Sequence, residues 1–252
     1  MLLTRLGIPK LWKADVEVAW SFMRWWLAPA TMLLAPSSYA YGLERVPLTG
    51  GAVLAVNHLA AIDPPLVGAF SRRGIWWMTK AELFEIPVVG ELFGWAGGFP
   101  IRRGESDREG LRIARDLVRE EHMVGVFVEG TRQRFGYPGP VHAGAMIIAM
   151  KEGVPVIPCG IESFGWSGRN LRPCCVVFGE PVRFDELPCN GRGYKQAANI
   201  VSAEILRLWR QAAEAAGAGF PPELPDGTKR GEWVRPGQEV RSGTRPRVSG
   251  LA

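Results

Sequence analysis

The chain has 252 residues, 47% of them apolar and 22% charged, with a formal net charge of +5. That is enough for a sizeable α/β domain with its own core, and it excludes a chain left unfolded for want of apolar residues. The positive balance is modest and spread out, with no dense Lys/Arg cluster among aromatics. Nucleic acid is therefore set aside, and a phospholipid headgroup or phosphorylated substrate is the expected partner.

Ten tryptophans and a mean hydropathy of +0.01 are high for a freely soluble enzyme, and tryptophan favours membrane interfaces. Three regions are expected: an aromatic, apolar lead-in over 1–41, an α/β domain over 42–217, and an irregular, flexible tail over 218–252 rich in Pro, Gly and Arg. Within the lead-in, residues 25–41 (WWLAPATMLLAPSSYAY) are the most apolar stretch. It is short for a span and broken by Pro29 and Pro36. A helix lying in the membrane interface is expected, with Trp12, Trp20, Trp25 and Trp26 near the headgroups. A helix packed on the core is the alternative. No cleavable signal peptide is evident.

Downstream, apolar runs at 52–57, 75–78, 125–128, 154–159 and 174–178 read as buried strands. Ser106 to Glu109 fits a capping box, followed by Leu111, Ala114, Leu117 and Val118 at helical spacing. Residues 142–151 and 194–216 read as further helices, the second with Ala197, Val201, Ile205 and Leu208 on one stripe. Cys159, Cys174, Cys175 and Cys189 form no CxxC pair, and there are three histidines, so a structural metal site is not expected. The plain reading is reduced thiols, suiting a cytosolic compartment.

Four stretches carry chemistry. In Asn57-His58-Leu59-Ala60-Ala61-Ile62-Asp63-Pro64, a strand ends and proline opens a helix, which puts Asp63 near an N-cap and lets the turn fold back on itself. A carboxylate on one imidazole nitrogen fixes the tautomer, leaving the other to take a proton from an alcohol. Taken alone, the pattern is more often structural. In Gly98-Phe99-Pro100-Ile101-Arg102-Arg103-Gly104, arginines among glycines suit a phosphate, although taken alone the stretch is more often an exposed loop with solvated arginines. In Phe127-Val128-Glu129-Gly130-Thr131-Arg132-Gln133-Arg134, a strand runs into a polar turn. There Arg132 is expected to hold a phosphate, and Glu129 to fix that arginine or bond a glycerol; a turn with an ion pair is the alternative. Val154-Pro155-Val156-Ile157-Pro158 holds no ionisable group and reads as a buried strand.

Together these stretches, as NHLAAID, FPIRRG, FVEGTRQR and VPVIP in that order, resemble the glycerolipid acyltransferase family, specifically the bacterial 1-acyl-glycerol-3-phosphate acyltransferases. Met78 to Phe84, with Lys80, and Gly42 to Pro47 resemble further parts of the family pattern. The resemblance covers roughly residues 42–185. It implies a mixed β-sheet flanked by helices, and transfer of a fatty acyl group from acyl-CoA or acyl-carrier protein to the free hydroxyl of lysophosphatidic acid, giving phosphatidic acid. In that reading His58 is the base, oriented by Asp63. Lys80, Arg103, Glu129, Gly130, Thr131 and Arg132 line the acceptor site. No metal or tightly bound cofactor is required, and the enzyme sits on the cytoplasmic face of the membrane. The rivals are an acyltransferase for another lysolipid, such as lyso-ornithine lipid, and a non-catalytic membrane-binding protein of the same fold.

Overall fold

A computed structural model describes residues 23–101 and 108–231. Trp12, Trp20, Arg102, Arg103, Ser106 and residues 232–252 of the tail lie outside the described residues.

The expected strands are present, with shifted ends: β2 Ala52–Val56, β3 Ile75–Lys80, β5 Met123–Phe127, β6 Val156–Glu162 and β7 Cys175–Phe178. Three short ones join them: β1 Tyr39–Tyr41, β4 Gly98–Ile101 and β8 Arg230–Gly231. They form one mixed sheet in the order β4-β3-β5-β2-β6-β7-β1-β8. From β4 to β6 the five strands run parallel, while β7 is antiparallel to β6 and β8 to β1. Every residue of β2 is buried, as expected of a central strand covered on both faces.

The helices are α1 Ala28–Leu34, α2 Asp63–Phe70, α3 Val89–Trp95, α4 Arg108–Arg119, α5 Gly144–Glu152 and α6 Gly191–Gly217. Strand alternation divides the core. Leu54 and Val56 of β2 face one way, with Leu66, Val67 and Phe70 of α2. Val53 and Ala55 face the other, with Ile113, Ala114 and Leu117 of α4, Ile148 of α5 and Val201 and Ile205 of α6. Arg115 and Arg119 of α4 both pair with Glu152 of α5. The side chain of Asn190 caps α6, accepting from the backbone N–H groups of Arg192 and Gly193. That helix crosses β6 so closely that a Cβ on Gly160 would lie 2.3 Å from the backbone nitrogen of Trp209. Only glycine fits there.

Both expected domain edges shift. Residues 25–41 do not form one helix. A π-helical turn Met23–Leu27 leads into α1, which ends before Pro36, and the chain then enters the sheet as β1. Proline removes a backbone donor and disfavours helix at the residue before it, so the stretch could not continue as one helix. Ala28, Thr31 and Ala35 are buried, whereas Trp25, Trp26 and Leu33 are largely exposed. The start of the tail is likewise packed on the domain: β8 pairs with β1, and Leu224 and Thr228 are buried. Arg45 holds it there, donating to Thr228 Oγ1 at 2.8 Å and to the carbonyl of Phe178 at 3.1 Å. Among the described residues, no helix is long and apolar enough to cross a membrane.

Candidate active site

The five parallel strands deliver their chain ends to one edge of the sheet, where α/β folds place ligands. His58 follows β2, Glu129 to Arg132 follow β5, Lys80 ends β3, and Ser163 follows β6. In the register, Lys80 of β3 pairs with Ile101 of β4, the last described residue before the arginine pair.

His58 and Asp63 meet as the motif required. His58 Nδ1 lies 2.8 Å from Asp63 Oδ2. Asp63 opens α2, yet its carboxylate turns back into the loop instead of capping the helix. Oδ2 also accepts from the backbone N–H groups of Leu59 (2.7 Å) and Ala60 (2.9 Å). Its Oδ1 accepts from Ser163 Oγ at 2.5 Å. Asp63 is fully buried, so four donors replace the water that its charge has lost. With Nδ1 committed to the carboxylate, Nε2 is the imidazole nitrogen left for a substrate.

The ring is also held by stacking. It lies 4.1 Å from Phe127 at 26°, and Phe127 lies 5.0 Å from Trp77 at 11°. The imidazole side chain is 13% exposed.

Among the described residues Glu129 does not fix Arg132 or pair with any arginine. Its Oε2 accepts the backbone N–H of His58 at 2.8 Å and its Oε1 that of Gly139 at 2.6 Å. The carboxylate thus fastens the turn after β5 to the backbone of His58. Gln133 adds a second tie, its N–H donating to the carbonyl of His58 at 2.8 Å. Burial pushes the Glu129 carboxyl up to about 7, with the Asp63 charge adding to the rise against the two backbone bonds that lower it. Gly130 makes the turn, with a φ of +68°. Thr131 and Arg132 are exposed beyond it, and Arg132 makes no ion pair among the described residues. Lys80 pairs with Glu82 at 3.1 Å on the surface. Arg103 lies outside the described residues.

Sequence reasoning missed Ser163 and gave Asn57 no task. The Asn57 side chain donates to the carbonyl of Ile161 and accepts its N–H, at 3.0 and 2.8 Å. This buried two-point bridge fixes the end of β6 against β2 and so aims Ser163 at Asp63. A serine directly after a buried strand was the available signal. Among the described residues, no cluster of His, Cys, Asp and Glu could hold a metal ion.

A buried carboxylate orienting an imidazole at the carboxyl edge of a parallel sheet is an arrangement able to move a proton to and from a bound substrate. Residues 38–162 match the Acyltransferase family model, so this stretch of the chain is an acyltransferase-type domain. It is 28% identical over 159 residues to the 1-acyl-sn-glycerol-3-phosphate acyltransferase of Bacillus subtilis, covering 60% of this chain and 78% of that one. It is 32% identical over 127 residues to a chloroplastic enzyme of the same name from Brassica napus, covering 49% and 37%. It is 32% identical over 142 residues to the lyso-ornithine lipid O-acyltransferase of Pseudomonas aeruginosa, covering 55% and 52%. The matched part thus spans about a third to a half of two of these relatives. In fold it matches the crystal structure of the 1-acyl-sn-glycerophosphate acyltransferase PlsC from Thermotoga maritima, with a TM-score of 0.61 and 23% identity over 82% of this chain and 86% of that one.

Proposed function

We propose that this protein transfers a fatty acyl group from acyl-CoA or acyl-carrier protein to the free hydroxyl of 1-acyl-glycerol-3-phosphate, giving phosphatidic acid. The observation that carries the reading is the 2.8 Å contact between His58 Nδ1 and a fully buried, four-fold bonded Asp63 carboxylate. Nε2 of His58 takes the proton from the acceptor hydroxyl as its oxygen bonds to the thioester carbonyl carbon. The tetrahedral intermediate then breaks its C–S bond, and the departing thiolate recovers the proton from His58. Asp63 stabilises the imidazolium formed between these steps. The acyl group passes directly to the acceptor, with no residue acylated, no metal and no tightly bound cofactor.

Arg132 is exposed at the strand edge without an ion pair among the described residues, which suits the acceptor's phosphate. Lys80 ends β3 at the same edge, and it completes the phosphate site in this reading together with Arg103, two residues past β4 in the sequence. Glu129 and Gly130 shape the turn that presents Thr131 and Arg132. Because the acceptor and product are lipids, the protein works as a peripheral protein on the cytoplasmic face of the membrane.

A second acceptor, a lyso-ornithine lipid, is favoured by the similarity to the Pseudomonas aeruginosa enzyme. That headgroup carries no phosphate, so the free arginine speaks for the first. Turnover of both acceptors with acyl-CoA and with acyl-carrier protein tests the choice. His58→Ala should lower the rate about 10²–10⁴-fold, and Asp63→Asn should be severe because it lets the imidazole adopt the wrong tautomer. A His58→Ala protein that keeps more than about a tenth of the wild-type rate excludes the mechanism.

A further inference from the structure

Two loops that clamp the His58–Asp63 pair also carry an exposed aromatic cluster that the chemistry does not use. After β5, Gln133 binds the His58 carbonyl, and two and four residues on stand Phe135 and Tyr137, 77% and 54% exposed. Their rings stack 6.2 Å apart. After β6, Ser163 binds Asp63, and the next residue, Phe164, is 42% exposed. The loops touch: a Cβ on Gly136 would lie 2.9 Å from the Phe164 ring. Trp166 extends the surface towards the N-terminal segment, its indole N–H donating to the carbonyl of Leu34, beside the exposed Leu33.

Charge follows the same outline. Residues 130–140 contain Arg132 and Arg134 and no acidic residue, and residues 163–173 contain Arg169 and Arg172 and no acidic residue. Arg132, Arg134 and Arg169 form no ion pair among the described residues. Exposed aromatic rings leave apolar area in contact with water. They are stable where rings meet the acyl boundary and guanidinium groups meet anionic headgroups.

We infer that the 131–140 and 163–173 loops form a membrane-docking rim that inserts Phe135, Tyr137 and Phe164 into an anionic lipid surface beside the active-site mouth. The inference rests on the lysolipid-acyltransferase reading above. It adds that the bilayer is gripped by the same loops that hold the catalytic pair, independently of residues 1–41. Docking then sets the mouth against the leaflet holding the acceptor.

The test uses the full chain. Phe135→Cys, made together with Cys189→Ser to remove the exposed thiol, is labelled with an environment-sensitive fluorophore. It is mixed with vesicles of phosphatidylcholine containing about a third phosphatidylglycerol. The label should shift to the blue on these vesicles, and less on phosphatidylcholine alone or at high salt. Phe135→Ser with Tyr137→Ser should reduce vesicle partition at least about fivefold and lower activity on bilayer acceptor, with activity on a short-chain, monomeric acceptor preserved. Protein that floats with the vesicles while the label stays unshifted overturns the rim and leaves the acyltransferase reading standing. Unchanged partition of the double variant does the same. Loss of activity on monomeric acceptor only with acyl-carrier protein as donor would make this surface a protein-docking site instead. Absence of turnover on every lysolipid by a wild-type protein that still shows the shift would sink the functional reading alone.

Discussion

Ser163 Oγ reaches Asp63 Oδ1 at 2.5 Å, across 100 residues of sequence, and completes the carboxylate's shell. Without it one oxygen of a fully buried anion would have no donor. Ser163→Ala should remove a charge-assisted bond worth roughly 1.5–3 kcal/mol, and so lower kcat about 10- to 100-fold. Ser163 positions Asp63 and touches no substrate, so the acceptor KM should hardly change, and Ser163→Thr should restore most of the rate. A matched loss in kcat and rise in KM, with no rescue by threonine, would mean that the serine merely packs.

Glu129 should make the protein's stability fall with pH. Its folded-state carboxyl sits at about 7, above its ordinary value, so between about pH 4.5 and 7 the folded chain binds more protons than the unfolded one. The contribution is fully present below that window and is lost as pH rises through it, by about 1–3 kcal/mol. Glu129→Gln cannot titrate. Thermal denaturation from pH 5 to 8 should show the wild type losing stability relative to the variant, and parallel curves would refute the shift.

Arg132 is exposed at the strand edge and forms no ion pair among the described residues, so its loss costs binding and not folding. Arg132→Ala should raise the lysophosphatidic acid KM about 10- to 100-fold at an unchanged melting temperature. Lysine should substitute poorly, lacking the planar fork of donors. If the KM for acyl-CoA rises instead, the arginine serves the donor's phosphates.

Removing residues 1–35 should cost stability, although the apolar stretch alone suggested a detachable anchor. The cut takes away α1 with its buried Ala28, Thr31 and Ala35, and the carbonyl of Leu34 that Trp166 binds. A melting temperature lower by at least about 5 °C is expected by calorimetry. A truncated protein as stable as the full chain would show that this helix contributes nothing to the core.

The sequence by itself determined the parts whose cause is local. Apolar runs between turn signals marked β2, β3, β5, β6 and β7, because a strand buried on both faces must be apolar throughout. The six-residue turn from His58 to Asp63 was legible because its two partners are close in the chain. Only the tertiary structure decided what distant strands bring to one edge. It moved Glu129 from an arginine to the His58 backbone, because β5 lies beside β2 and that N–H is the nearer buried donor. It made Ser163 the fourth donor to Asp63, because β6 lies on the other side of β2 and Asn57 pins its end. The short β1 and β8 escaped notice for the same reason. Strands of two or three residues carry too little pattern to read, and they exist because the sheet edge offers them partners.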